Sequence, residues 1–438
     1  MAGDMIYYNC MKTTEYRPRL ADSILQEILS CKGAVLVEGP KWCGKTTTAE
    51  RQAASVLFMD EPGRKESNIS LARLDPDRLL RGESPLLIDE WQLAPSLWDV
   101  VRFKVDMASR YGLYILTGSS VPPQTDEMSH SGTGRIARLR MRPMSLWESG
   151  ESSGGVSIRN LMDGNAFATE DARRMTLEEV AFVLCRGGWP EAVGQSGKAA
   201  IRQAFDYVDG VVESDISRFD GVSRDPEKAR TLMRSYARLQ GAQAGVGVIA
   251  SDLAAHEGMS ISENTISSYL NALRGIFVIE DISAWHPNLR RKTVVRTSDT
   301  RYFTDPSIAT ASLGIGPDAL LDDLPTFGLL FETLAIRDLR AYADVLDASV
   351  SHYLDRNGLE CDAVFRMRDG RYGLVEVKVG GDVLVEKGCA SLNKLASVID
   401  TKRMRQPSFR MVLTAIGDFA YRRAEDGIFV CPISSLRP

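Results

Sequence analysis

Eight residues near the start of the chain have the types and spacing to grip a triphosphate: Gly39, Pro40, Lys41, Trp42, Cys43, Gly44, Lys45 and Thr46, directly after the short apolar run that ends Leu36-Val37-Glu38. The two glycines let the backbone curl until its N–H groups turn inward on a β-phosphate. Lys45 would neutralise β and γ oxygens, and Thr46 would ligate Mg²⁺ through its hydroxyl. Thr47 continues into a stretch, 46–54, without Gly or Pro, which predicts a helix whose N-terminal dipole faces the phosphates. The motif makes the protein a nucleotide binder. The plainer alternative is a glycine turn between a strand and a helix.

A second acidic site follows. Pro85-Leu-Leu-Ile88-Asp89-Glu90 is a short apolar run closed by two carboxylates, and strand carboxyl ends line the ligand crevice of a parallel sheet. Asp89 fits the carboxylate that holds Mg²⁺, and Glu90 fits the base that orients an attacking water. A third apolar strand, Leu113 to Thr117-Gly118-Ser119, ends where Ser119 or Thr117 could sense a γ-phosphate, or where the chain simply turns. Gly134-Arg135 opens a run with Arg138, Arg140 and Arg142. Arg135 is the preferred candidate for stabilising transition-state charge, set against the commoner role of strand-surface arginines.

A further group of polar residues lies near the C-terminus: Glu332 in an amphipathic helix, then Asp362 and Glu376 on consecutive strands, with Lys378 two residues after Glu376. Strand side chains alternate, so Glu376 and Lys378 share one face. An ordinary same-face ion pair explains that spacing as well as a catalytic one does.

The elements that must position these groups divide the chain into an expected three parts. Residues 1–185 read as a P-loop domain with a parallel sheet, residues 186–310 as helical, and residues 311–438 as a smaller α/β domain. The polar, Gly- and Pro-containing loop Val121 to Thr133 is expected to be mobile. Gly187-Gly-Trp189-Pro-Glu-Ala is a turn with no assignable chemistry. Residues 250–282 read helix, turn, helix, strand, the outline of a winged helix. Ser262, Asn264, Thr265, Ser267 and Ser268 are its groove-facing candidates, and Arg290, Arg291, Lys292, Arg296 and Arg301 fall where a wing would extend. DNA contact through residues 262–301 would draw its phosphate affinity from that basic stretch; a solvated hairpin or a protein-interaction module would carry the same pattern.

The combination of the phosphate loop with Ile88-Asp-Glu-Trp-Gln-Leu-Ala-Pro, Leu116-Thr-Gly-Ser-Ser, Gly134-Arg and Pro143-Met-Ser-Leu-Trp-Glu148 resembles prokaryotic AAA-type ATP-binding proteins that carry a C-terminal domain of undefined function. The resemblance runs from about Tyr16 to the last strand. It implies an AAA-like core with an extra strand between the two phosphate-site motifs and Mg-ATP as ligand, and it fixes no substrate. The C-terminal order helix, three strands, helix, strand resembles the restriction-endonuclease-like fold. That resemblance implies that Glu332, Asp362 and Glu376 bind a second Mg²⁺ while Lys378 helps activate a water against a phosphodiester.

Composition bounds the alternatives. A chain of 438 residues with 44% apolar residues exceeds one ordinary core. A net charge of −5 supplies no global field for a polyanion. Seven cysteines without a Cys-x-x-Cys pair, and only four histidines, argue against structural zinc. No window reaches the length of a membrane helix and the first residues lack a signal-peptide layout, so a cytoplasmic location without membrane partners is expected. Three functions compete: an ATPase that moves its C-terminal half on or near DNA, a nuclease regulated by ATP, and a nucleotide-gated scaffold for a protein client, with an oligomer compatible with each.

Overall fold

The computed structural model describes residues 16–120, 132–287 and 295–438. The chain divides into two compact units. The first comprises Met1–Pro143 with two short later segments, Asp215–Ser223 and Gly275–Phe277; the second comprises the remainder. This division falls at Pro143 and not near residue 185 because the first sheet is complete at Arg140.

In the first unit, α1 (Leu20–Cys31) leads into β1 (Ala34–Glu38), α2 (Lys45–Glu50), β2 (Ser55–Phe58), α3 (Lys65–Leu74), β3 (Leu86–Asp89), α4 (Leu97–Ala108), β4 (Tyr114–Gly118) and β5 (Ile136–Arg140). The strands form one sheet in the order β2-β3-β4-β1-β5, and every pair in it is parallel. All five residues of β1 are buried, as expected of a parallel strand covered on both faces. Strand β4 lies between β1 and β3, so the phosphate-loop strand and the acidic strand are separated by one strand in space. Ala34, Leu36, Leu57, Ile88, Trp91, Leu97, Trp98, Val101 and Leu116 belong to the core of this unit.

The second unit contains a helical part and a sheet. Helices α5 (Leu177–Arg186), α6 (Gly197–Gly210), α7 (Pro226–Arg238), α8 (Val246–Glu257), α9 (Glu263–Gly275) and α10 (Pro306–Leu313) precede the long α11 (Leu324–Val345). A seven-stranded sheet joins β6 (Thr169–Asp171), β7 (Ala348–Leu354), β8 (Glu360–Met367), β9 (Tyr372–Lys378), β10 (Phe409–Thr414), β11 (Phe419–Arg422) and β12 (Phe429–Pro432), in the order β6-β11-β12-β10-β9-β8-β7. Helix α12 (Asp382–Val398) connects β9 to β10, which run parallel.

The glycine pair in the turn Gly187-Gly-Trp189 has a structural purpose. Gly188 donates its N–H to Asp305 (3.0 Å), and the Trp189 indole donates to the Ser307 hydroxyl (2.9 Å). A Cβ at Gly188 would sit 2.1 Å from the Met144 carbonyl oxygen. Asp305 also accepts from the wholly buried Arg337, whose guanidinium pairs with Asp338 on its other edge, each at 2.8 Å.

Candidate nucleotide site and a second carboxylate cluster

The phosphate loop spans from the carboxyl end of β1 to the start of α2. Its backbone requires unusual conformations at three positions: Gly39 (φ +154°), Trp42 (φ +65°) and Gly44 (φ +95°). At Gly39 the need is steric as well, because a Cβ would meet the Met141 carbonyl oxygen at 2.0 Å. Arg19 pins the loop from outside, donating to the carbonyls of Cys43 (2.6 Å) and Arg142 (2.8 Å). The Lys45 ammonium donates to the Pro40 carbonyl at 2.7 Å, across the mouth of the loop.

Parallel register sets Asp89 opposite Thr117, and Asp89 reaches the loop. The Thr46 hydroxyl donates to Asp89 Oδ1 at 2.8 Å, and the Thr117 hydroxyl donates to the same oxygen. Burial raises the Asp89 carboxyl above the usual carboxylate range, and the two hydroxyls oppose that shift. Glu90 sits in the left-handed region (φ +54°) just past the strand, which turns it away from the sheet. Its carboxylate accepts from the Gln92 side-chain amide. Burial and then the Asp89 charge raise its pKa, while Lys45 and Gln92 act to lower it. A carboxylate with raised basicity, beside an ammonium and a hydroxyl-carboxylate pair, is suited to accept a proton from water.

The donor set fits a Mg-triphosphate: a hydroxyl and a carboxylate already within hydrogen-bonding distance of each other for the metal, and an ammonium for the phosphate oxygens. Ser119 is buried just past the end of β4. Arg135 is different. It precedes the first residue of β5, and its carbonyl accepts from Ala34 at the start of β1, the end of the sheet opposite the phosphate loop. Its guanidinium pairs with Asp106 at 2.5 Å, so the structure does not bring Arg135 to the loop of its own chain. Arg138 and Arg140 pair with Glu38 at 3.1 and 3.2 Å.

The second unit brings Glu332, Asp362, Glu376 and Lys378 together. Lys378 Nζ lies 2.7 Å from Glu376 and 3.4 Å from Asp362. Asp362 also accepts the Val377 N–H at 2.7 Å, and Glu376 accepts from Ser391 at 3.1 Å. Glu332 accepts from the Tyr302 hydroxyl. Glu332, Glu360 and Asp362 help line a cavity of about 330 Å³ that also presents His352 and Arg296. Burial, then the Asp362 charge, push Glu376 far above the usual carboxylate range and Glu332 to about 8. Burial opposes the charge on Lys378, yet Asp362 and Glu376 hold its pKa above the ordinary lysine value. The ammonium thus occupies the space between two carboxylates where a metal would be expected. Among the described residues no group of three or more His, Cys, Asp or Glu side chains is arranged to hold a metal ion.

In the helical part, Ile279 and Ile282 bridge to Phe303 and Thr300, an antiparallel pairing that follows α9. Arg290, Arg291 and Lys292 lie outside the described residues, as does most of the loop Val121 to Thr133. Arg301 corrects the expectation of a row of exposed basic residues: its guanidinium bonds Asp281 (2.6 Å) and the Ala244 carbonyl (2.9 Å). Ser268 is engaged by Arg224 at 3.2 Å, while Ser262 and Asn264 are exposed.

Comparison with known proteins matches three segments of the chain. The AAA domain model matches residues 32–149, a domain of unknown function designated DUF8612 matches residues 177–319, and another, DUF4143, matches residues 327–436. The chain thus holds a segment that matches the AAA domain, followed by one that matches DUF4143. Uncharacterized proteins of Mycobacterium bovis and Mycobacterium tuberculosis are each 26% identical over 328 residues, covering 74% of this chain. The match spans 66% of their length, just under two thirds. Among solved structures, the Walker-type ATPase of Pyrococcus abyssi overlaps with a TM-score of 0.43 at 16% identity, over 70% of this chain and 98% of that one. The Drosophila origin recognition complex bound to DNA overlaps with a TM-score of 0.17 at 15% identity, over 67% and 85%. No helix among the described residues is long and apolar enough to cross a membrane.

Sequence reasoning missed three residues that contact the phosphate loop or Glu90. Gln92 lies two residues beyond Glu90, and only the left-handed turn at Glu90 folds its amide back. Asp215 pairs with Lys41 at 2.6 Å from a segment 174 residues away, for which no local signal exists. Arg19 stands before α1 and carries no motif.

Proposed function

We propose that the AAA domain hydrolyses Mg-ATP. The observation that carries this reading is the convergence of Thr46 and Thr117 on one oxygen of Asp89, beside Lys45 and Glu90. Thr46 and Asp89 would hold Mg²⁺, which would supply charge neutralisation to the phosphates when bound. Lys45 exchanges its Pro40 contact for β and γ oxygens, and the loop amides of residues 41–46 take the remainder. As the oxygen of a water bonds the γ-phosphorus and the bond to the β–γ bridging oxygen breaks, Glu90 receives the water's proton. ADP and phosphate are the products.

Lys45→Ala is expected to abolish ATP binding. Glu90→Gln keeps binding and lowers turnover by about 10²–10⁴-fold, the usual worth of a positioned base. Binding of a fluorescent ATP analogue and phosphate release test both. Full turnover in a clean Glu90→Gln preparation would refute the assignment.

The finer reading is that hydrolysis drives movement of the C-terminal half, acting on or near DNA. The helix-turn-helix of α8 and α9 followed by the 279–303 pairing supports a winged-helix module. A second reading, a metal-dependent nuclease, is favoured by the order α11, three strands, α12, β10 and by the gathering of Glu332, Asp362, Glu376 and Lys378. Plasmid cleavage with Mn²⁺, compared with a Glu376→Ala/Lys378→Ala variant, separates the two; equal cleavage by both proteins removes the nuclease.

A further inference from the structure

Lys41 is the one cation of the phosphate loop that the reading above leaves without a task. It is the third residue of the loop, and the Pro40 carbonyl just before it is where the Lys45 ammonium rests, at 2.7 Å. Lys45 is the group that reaches β and γ oxygens, so the 40–41 peptide borders the place where the terminal phosphate must lie. The positive φ of Trp42 reverses the chain immediately after. The side chain of Lys41 is 43% exposed and its ammonium meets Asp215 Oδ1 at 2.6 Å.

Asp215 belongs to the same compact unit as Lys41. It closes a five-residue π-helical turn, Val211–Asp215, that follows α6, and such turns are concentrated at functional sites. The segment Asp215–Ser223 belongs to the nucleotide-binding unit, as does Gly275–Phe277. Gly275 packs so closely on the Phe219 ring that a Cβ would lie 2.2 Å from it, and Arg140 stacks over Phe277 at 4.4 Å.

Three cations close to the loop are committed elsewhere. Arg138 and Arg140 pair with Glu38, and Arg19 bonds two carbonyls. Phosphoryl transfer is catalysed almost wholly by positioning and by charge placed on the moving group. A half-exposed ion pair is weak, and a terminal phosphate brings more negative charge than one carboxylate.

We propose that Lys41 is a second catalytic cation, which Asp215 holds in reserve and a bound triphosphate draws onto the γ-phosphoryl oxygens. The inference rests on the AAA domain being an ATPase. Lys41 keeps its protons throughout and donates to the equatorial oxygens while Glu90 takes the proton from water. ADP lacks the group that recruits it, so the Lys41–Asp215 pair persists in the diphosphate complex.

The test uses the full chain with Lys41→Met, Lys41→Arg and Asp215→Asn, reading kcat and, by calorimetry, the affinities for ADP and for a non-hydrolysable triphosphate. Lys41→Met is expected to lower kcat by about 100-fold, as loss of one preorganised donor does, and to lower the preference for triphosphate over ADP. Lys41→Arg retains at least a tenth of the activity. Asp215→Asn breaks the same ion pair but removes the competitor, so kcat holds or rises and the triphosphate preference increases. ADP affinity near that of the wild type confirms a folded site in each variant. Equal losses in Lys41→Met and Asp215→Asn would mark a merely structural pair and overturn the proposal, as would an unchanged kcat and preference in Lys41→Met. A wild-type protein that neither binds nor hydrolyses ATP would instead refute the parent reading, and the wild-type arm reports that separately.

Discussion

Replacing Glu332 with glutamine isolates the electrostatics of the second cluster from its shape. Burial first, and the nearby Asp362 charge second, move the Glu332 carboxyl from its ordinary 4.5 to about 8. The folded state therefore holds this proton more tightly than the unfolded chain. The stability it contributes is complete below about pH 4.5 and is lost as pH rises through about 8. The gap between those values corresponds to about 5 kcal/mol if the carboxylate faced only protein. Glu332 instead lines the cavity and keeps part of its surface accessible through it, so water there lowers the penalty to roughly 1–3 kcal/mol. Glutamine preserves the length, and its carbonyl oxygen still accepts from Tyr302. Urea unfolding followed by circular dichroism should show the wild type losing about 1–3 kcal/mol more than Glu332→Gln between pH 5 and pH 9. At pH 5 the two proteins should agree to within about 1 kcal/mol. Parallel stability curves across that range would refute the placement of a largely protonated carboxyl at this position.

Gly39→Ala places a Cβ against the Met141 carbonyl oxygen at 2.0 Å, a backbone clash with no side chain to yield, so affinity for an ATP analogue should fall at least about tenfold by titration. Thr117→Val removes one of two hydroxyl donors to Asp89; a lost bond to a charged acceptor is worth about 1.5–3 kcal/mol, and the Mg²⁺ concentration for half-maximal ATP hydrolysis should rise. Arg337→Met leaves Asp305 and Asp338 buried without their guanidinium and should cost the second unit about 3–5 kcal/mol in chemical denaturation.

The nucleotide site was legible in proportion to how local its geometry is. Gly39, Gly44, Lys45 and Thr46 act within one turn of chain, and their spacing alone specifies the loop. Asp89 and Glu90 are legible as candidates because a buried parallel strand ends at the ligand edge of the sheet. Thr117 was placed as one of two candidates, and its register opposite Asp89 explains its contact. Arg135 fails on the same ground: counting residues from a glycine does not reveal which end of a strand a side chain occupies. The parallel register puts Arg140 level with Glu38, which leaves Arg135 at the far end. Strands β6 and β11 were not anticipated either. The Thr169–Asp171 strand is short and polar, and only pairing with β11, almost 250 residues later, gives it a reason to be extended.

The two carboxylate centres differ in what neutralises them, and that difference bears on their chemistry more than their residue lists do. Alternation along β9 correctly puts Glu376 and Lys378 on one face, but the pattern does not show where the ammonium turns next. In the structure it turns inward to Asp362 as well, so one ammonium already offsets charge on both carboxylates. Asp89 accepts from two hydroxyls, Thr46 and Thr117, and the Lys45 charge acts on it without an ion pair among the described residues. A divalent cation at Asp89 need displace no ion-paired ammonium, whereas at Asp362 it must first displace a lysine whose own charge is strengthened by the site. Magnesium is therefore expected at the phosphate loop at lower concentration than any metal in the second cluster. A metal titration of Lys378→Met, which removes the competing ammonium, should tighten the weaker site and leave the stronger one unchanged.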